Sequence, residues 1–186
     1  TTGASLSSYW YQHEKKIESY VGQLFSDWTD NFSTEVKASY RDYSAIRTPS
    51  APGTPAILTG FGGLNSNRES VANPTLYLGT EANTQYNELY TKTWNYFAAG
   101  TLTLGDHDVK FGADYSKNEI YNLYAPNVDG YLVYNGIDGF RNNTPVVITD
   151  RNPVSGGVES LAADYDYSTL GLFVQDTWYV NSNLTL

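Results

Sequence analysis

The 186-residue chain is 15% aromatic and only 17% charged, carries a net charge of −9 and contains neither Cys nor Met. The absent cysteines exclude disulfides, thiol nucleophiles and thiolate metal sites, and the acidic balance argues against a nucleic-acid partner, which needs a basic face. Mean hydropathy is −0.43 and the longest apolar stretch is about five residues, which excludes a transmembrane helix of about 20 residues but not barrel strands of 9–11 alternating ones.

In chain order, the segment from Glu14 to Trp28 comes first. Ile17, Tyr20, Val21, Leu24, Phe25 and Trp28 fall at helical spacing, which suits an amphipathic helix. Against that stand Gly22 in its interior and the short polar link Thr29-Asp30-Asn31, which suits a hairpin. A strand over about 15–28 is expected, with helix the competing reading. From Phe32 to Tyr43 the alternation is clean: Phe32, Val36, Ala38 and Tyr40 are apolar, with Ser33, Glu35, Lys37, Ser39 and Arg41 between them. From Trp94 to Leu104 the even positions are apolar, with Phe97 and Ala99 breaking the pattern. From Val109 to Tyr121, Val109, Phe111, Ala113, Tyr115 and Tyr121 oppose Lys110, Gly112, Asp114, Ser116 and Asn118. Each is a two-faced strand. Tyr165 to Tyr179 is a fourth run, with Leu170, Leu172, Val174 and Trp178 on its apolar face and Asp176 at the boundary. The closing Asn183-Leu184-Thr185-Leu186 reads like a strand just beginning, and no leader segment opens the chain. An internal piece of something longer is expected.

Connection lengths alternate. Asp27–Asn31, Gly105-Asp106-His107 and Val180–Asn183 are tight, whereas 44–91 and 122–163 each exceed 40 residues. Loops beyond about 15 residues are uncommon in a compact domain. Short turns at one end and long loops at the other are the asymmetry of outer-membrane barrels. The expected fold is therefore all-β: an antiparallel up-and-down meander of about five strands (15–28, 32–43, 93–104, 108–121 and 164–179) plus the start of a sixth. It would form part of a large transmembrane β-barrel with long extracellular loops at 44–91 and 122–163.

The segment Gly171-Leu172-Phe173-Val174-Gln175-Asp176-Thr177-Trp178, followed by Val180 and Asn183-Leu184-Thr185-Leu186, resembles a recurring barrel signature of TonB-dependent outer-membrane receptors. There a strand ending in Gln-Asp-x-Trp leads through a short periplasmic turn into Asn-Leu-Thr. Leu24 to Glu35 has a similar strand–turn–strand form, and the chain is most like the Oar-like branch. The resemblance implies a 22-stranded barrel with an N-terminal plug, of which this chain supplies wall and loops; no plug or TonB box is recognisable. It also implies these partners: outer-membrane lipid, the receptor's own plug and remaining strands, the TonB complex through that plug, and an extracellular ligand of unknown identity.

Trp28, Trp94 and Trp178 are read at the turn ends of their strands, where a periplasmic aromatic girdle would hold them; a soluble core is the competing reading. Glu35, Lys37, Arg41, Lys110 and Asp114 are expected to line the lumen. Tyr77, Tyr86, Tyr90, Tyr121, Tyr124, Tyr131 and Tyr134 fall in the long loops or at their roots. Tyrosine offers contact area and a hydroxyl at low entropic cost, so these are the candidate contacts for a peptide, glycan or siderophore; girdle aromatics are the competing role. Asp129, Asp138, Asp150, Asp164 and Asp166 do not match a calcium-loop spacing and are read as solvated acids. Gly60-Phe61-Gly62-Gly63 lacks the context of a phosphate loop, and Asp106-His107-Asp108 reads as a turn. With no catalytic constellation, no cofactor and no enzymatic activity are expected. The alternative to a receptor is a soluble β-rich carbohydrate-binding or adhesin-type module with a tyrosine-lined groove.

Overall fold

Alternation at period two becomes strand in the computed structural model, which describes residues 3–60, 63–64, 70–71, 74–153 and 155–186. The elements are β1 (Gly3–Ser5), β2 (Tyr11–Thr29), β3 (Phe32–Pro49), β4 (Ala56–Gly60), β5 (Gly63–Leu64), β6 (Ser70–Val71), β7 (Thr75–Gly79), β8 (Asn87–Leu104), β9 (His107–Tyr124), β10 (Tyr131–Tyr134), the short helix α1 (Gly136–Arg141), β11 (Pro145–Thr149), β12 (Ala163–Asn181) and β13 (Leu184–Thr185). Single 3-10 turns lie at Ser7–Tyr9, Ala82–Thr84 and Val158–Leu161. Phe61 and Gly62, the centre of the Gly60–Gly63 segment, lie outside the described residues.

The chain divides into two compact units. One, residues 16–43, 90–120 and 164–186, carries the long strands. They form a six-stranded antiparallel sheet in the order β13-β12-β9-β8-β3-β2. The contested first segment is strand throughout, as β2. Its helical spacing has a simple origin. Tyr20 stacks on Tyr40 of β3 at 6.5 Å, so Tyr20, Leu24 and Trp28 share one face, while Ile17, Val21 and Phe25 share the other by alternation. Both faces are apolar, and their sum mimics a helical stripe. The strands run 18–19 residues, longer than expected, because pairing continues past Lys15, Tyr43, Thr93, Tyr121 and Tyr179, the expected strand ends.

The other unit, residues 1–15, 44–89 and 121–163, corrects the sequence reading of 44–91 and 122–163 as loops. These connections build a second, five-stranded sheet in the order β1-β7-β4-β10-β11. It is mixed: β1 runs parallel to β7 and β4 parallel to β10, while β4/β7 and β10/β11 are antiparallel. The physical reason is that Ala56-Ile57-Leu58, Leu76-Tyr77-Leu78 and Tyr131-Leu132-Val133-Tyr134 are β-prone runs too short to show a period, yet long enough to cover one another, while Val146-Val147-Ile148 pairs at the sheet edge and stays exposed. Ala56, Thr59, Leu123, Ala125 and Tyr134 are buried there. Gln85 clasps the two connections together: its Nε2 donates to the Gly130 carbonyl at 2.8 Å and its Oε1 accepts from the Asp129 N–H at 2.9 Å. The Ala56 N–H donates to the Gly130 carbonyl at 3.0 Å and the Ala125 N–H to the Tyr86 carbonyl at 3.0 Å.

Candidate functional site

In the strand unit the two faces of the sheet differ in chemistry. On one, polar side chains link neighbouring strands. Gln23 donates to Glu35 at 2.7 Å, Lys110 reaches the same carboxylate at 3.5 Å, Asn95 donates to Ser39 at 3.3 Å, and Thr93 donates to Asn118 at 2.9 Å. A cavity of about 370 Å³ opens on this face, lined by Glu35, Lys37, Asn95, Phe97, Asp114 and Ser116 among others. Phe97 stacks on Phe173 at 5.9 Å and carries Lys110 Nζ over its ring at 5.8 Å. Gly112 is required here, since a Cβ would meet the Ala98 carbonyl and sit 2.8 Å from the Phe173 ring. The expected lumenal set thus shares one face. Arg41 falls on it by alternation along β3.

On the opposite face Leu170, Leu172 and Val174 are 65%, 78% and 76% exposed, and Val36, Phe111 and Leu104 are exposed as well. Among the described residues of this unit only Thr93, Ala99 and Gly100 are buried. Among the described residues of the strand unit no second layer covers these apolar side chains, so the buried core that a soluble module requires is missing from it. The face calls for an apolar solvent.

In the loop unit the tyrosines separate. Tyr77 packs against Tyr9 with ring centroids 5.3 Å apart, and Tyr131 and Glu81 lie within electrostatic reach of the same phenol. Burial first, then the Glu81 carboxylate, pushes the Tyr9 hydroxyl up to about 12. Tyr9 was missed in the sequence; only the parallel pairing of β1 with β7, a non-local event, brings it beside Tyr77. Tyr86 is also raised, chiefly by the Asp129 carboxylate, which burial in turn pushes upward. Tyr124 donates to Asn83 at 2.8 Å. Tyr134 is a correction: at 5% exposure, edge-on to Phe140 and donating to Asn143 at 2.8 Å, it is core and presents no surface to a ligand. Tyr90 belongs to β8 in the strand unit, not to a loop. Asp138 faces Arg141 at 3.7 Å and Asp150 accepts from Asn152 at 2.8 Å; among the described residues no three His, Asp or Glu side chains converge as a metal site. A difference titration of wild type against Tyr9→Phe should lose a single phenolate step at about pH 12, well above the exposed tyrosines near 10. Loss of a step near pH 10 instead would contradict the buried cluster.

A family model described as an outer membrane beta barrel domain matches residues 3–186. The chain belongs to the outer membrane beta barrel domain family. No curated protein and no solved structure matches the chain. An outer-membrane barrel domain resides in the bacterial outer membrane, and its exposed apolar face meets lipid. No helix among the described residues is long and apolar enough to cross a membrane; the barrel domain crosses with strands.

With the barrel domain placed in lipid, the tryptophans sort by depth. Trp28 and Trp178 each lie within three residues of a strand end at a tight turn. His107 stacks on Trp178 at 5.5 Å and pairs with Asp176 at 2.8 Å, so that turn also carries a polar pair on the lipid face. Trp94 corrects the expectation, because it stands ten residues from the end of β8 at Leu104. At about 3.4 Å per residue and a tilt near 45°, that is about 24 Å along the barrel axis, close to the ~25 Å height of a lipid-facing band. Trp94 therefore stands far from the tight-turn end of β8. Its neighbours are aromatic: Tyr40 lies against it at 5.3 Å, Tyr20 stacks on Tyr40, and Tyr96 stacks on Tyr115 at 6.4 Å.

Proposed function

We propose that this barrel domain is a wall section of a TonB-dependent outer-membrane receptor, most like the Oar-like branch, whose long connections capture a ligand at the cell surface. The ligand then passes along the polar face as the inner-membrane TonB complex acts on the plug, a role in transport rather than catalysis. The observation that carries this reading is the architecture of the connections. A barrel with only a structural task gains nothing from 40-residue loops, whereas here they are tied into a sheeted unit that sets Tyr77, Tyr131 and Glu81 about Tyr9. Ordered aromatics beside a carboxylate suit a ligand that has both apolar surface and hydrogen-bond donors.

Closure supports the same assignment. The edges of the six-stranded sheet are β2 and β13, and in hydrocarbon each unpaired backbone group costs several kcal/mol. Further strands must complete the wall, as they do in a large receptor barrel. The test uses the full-length protein in cells: a deletion strain is screened for growth on oligopeptides, glycans and iron chelates, and the lost nutrient is then followed by uptake. Uptake should require the Tyr77 and Tyr131 side chains and should stop when the proton gradient is collapsed. Uptake that survives collapse of the gradient overturns TonB coupling, and uptake indifferent to Y77A/Y131A overturns the loop site.

A further inference from the structure

The lipid-facing side of the strand unit is not smooth. A groove of about 630 Å³ runs across β3, β8, β9 and β12. Ala98, Gly100 and Ala113 are its small lining residues, with the Phe111 and Phe32 rings lying over Gly100, and Val36 and Leu172 line it as well. Phe32, the first residue after the β2–β3 turn, marks its turn-side end. A barrel belt that only had to be greasy would need no such channel, and an empty one in hydrocarbon forfeits dispersion contacts on every wall.

The rim at the same end has a one-sided charge. Residues 26–34, 101–109 and 175–186 contain Asp27, Asp30, Asp106, Asp108 and Asp176 and no Lys or Arg. Asp176 and His107 sit on the lipid face beside the Trp178 ring, a flat aromatic shelf at headgroup depth. Carboxylates there repel an anionic headgroup and attract an ammonium.

We infer that the groove is a specific lipid site, holding an acyl chain of an ammonium-headed zwitterionic phospholipid of the phosphatidylethanolamine type from the leaflet at the tight turns. The chain fills the channel between Val36 and Leu172, and the headgroup ammonium meets the rim at Asp176. This holds whether or not the barrel is TonB-coupled, because it uses only the lipid face.

Native mass spectrometry of the full-length protein, released from bilayers holding equal phosphatidylethanolamine and phosphatidylglycerol, tests it. The wild type should carry phosphatidylethanolamine in about fivefold excess, the ratio expected of roughly one favourable charge contact at a membrane surface. Ala113→Leu, which intrudes on the groove, should remove the retained lipid. D30N/D106N/D176N, at the two tight turns and the lipid-face carboxylate, should keep lipid bound but bring the two headgroups close to parity. Folding of each variant is read from heat-modifiable electrophoretic mobility, and the wild-type ratio needs no variant. Equal headgroups on the wild type, wild-type lipid retention in folded Ala113→Leu, or an undiminished preference in the folded triple variant overturns the inference.

Discussion

Val174→Arg should destabilise the folded barrel by about 2–4 kcal/mol, the cost of a cation near the bilayer midplane, whereas Gln175→Arg one residue along should cost less than about 1 kcal/mol. Val174 is 76% exposed on the face that carries Leu170 and Leu172, four residues from Trp178 at the headgroup level and four from Leu170. Gln175 projects to the opposite, polar face by alternation. Urea unfolding of the full-length protein in lipid vesicles measures both. Equal costs at the two positions would mean that the faces are not lipid and lumen. Because both variants introduce the same arginine at adjacent positions, the change in net charge cancels between them, and the span of about 1 kcal/mol in β-propensity is smaller than the cost expected from facing lipid.

Gly79→Ala should unfold the five-stranded sheet of the loop unit while the long strands keep their amide protection. Gly79 has φ +77°, a conformation that costs an L-residue about 1–2 kcal/mol. A Cβ at this position would also overlap the Pro55 carbonyl oxygen, which cannot move freely because Ala56, the next residue, pairs with Gly79 in the β4/β7 register. Gly79 further donates its N–H to Ser8 Oγ at 3.2 Å, so displacement loosens the segment before β2 as well. The combined penalty exceeds the backbone term alone. Hydrogen exchange resolved by segment should show faster exchange at 56–60, 75–79 and 131–134 with β8, β9 and β12 unchanged; wild-type exchange in those loop segments would show that the clash is relieved at no cost. Ligand uptake should fall with the sheet, since Tyr77 and Tyr131 lie on it.

The two substitutions also mark where sequence reading succeeded and where it stopped. Val36, Ala38, Tyr40, Phe111, Ala113, Leu172 and Val174 announced a single apolar face through their spacing, and the structure leaves that face uncovered. Asp176, an acid on an apolar face, was legible only as a boundary residue; its pairing with His107, 69 positions away, was not. Trp94's distance from the tight turn at Gly105 was already legible in the expected strand 93–104; only the strand start at Asn87 was not, because strand length is poorly marked where pairing runs on through polar residues. Ile17, Val21 and Phe25 obscured β2 because two apolar faces at period two overlap into one stripe at period 3.6.

The 15% aromatic content and low charge now divide by location, with Trp28, Trp94, Trp178 and several tyrosines on the apolar face of the strand unit and the loop tyrosines in a separate sheeted unit. What the residues alone determined was the strand unit: a pleated strand displays successive side chains on opposite faces, so lipid-facing and polar-facing positions are written locally, residue by residue. What only the tertiary structure decided was the loop unit and its tyrosine cluster. Parallel pairs such as β1 with β7 and β4 with β10 join residues more than 70 positions apart, and runs of four or five residues carry no period by which to announce such partners. Their stability comes from mutual burial and from the clasp at Gln85, contacts that exist only once both connections have folded together.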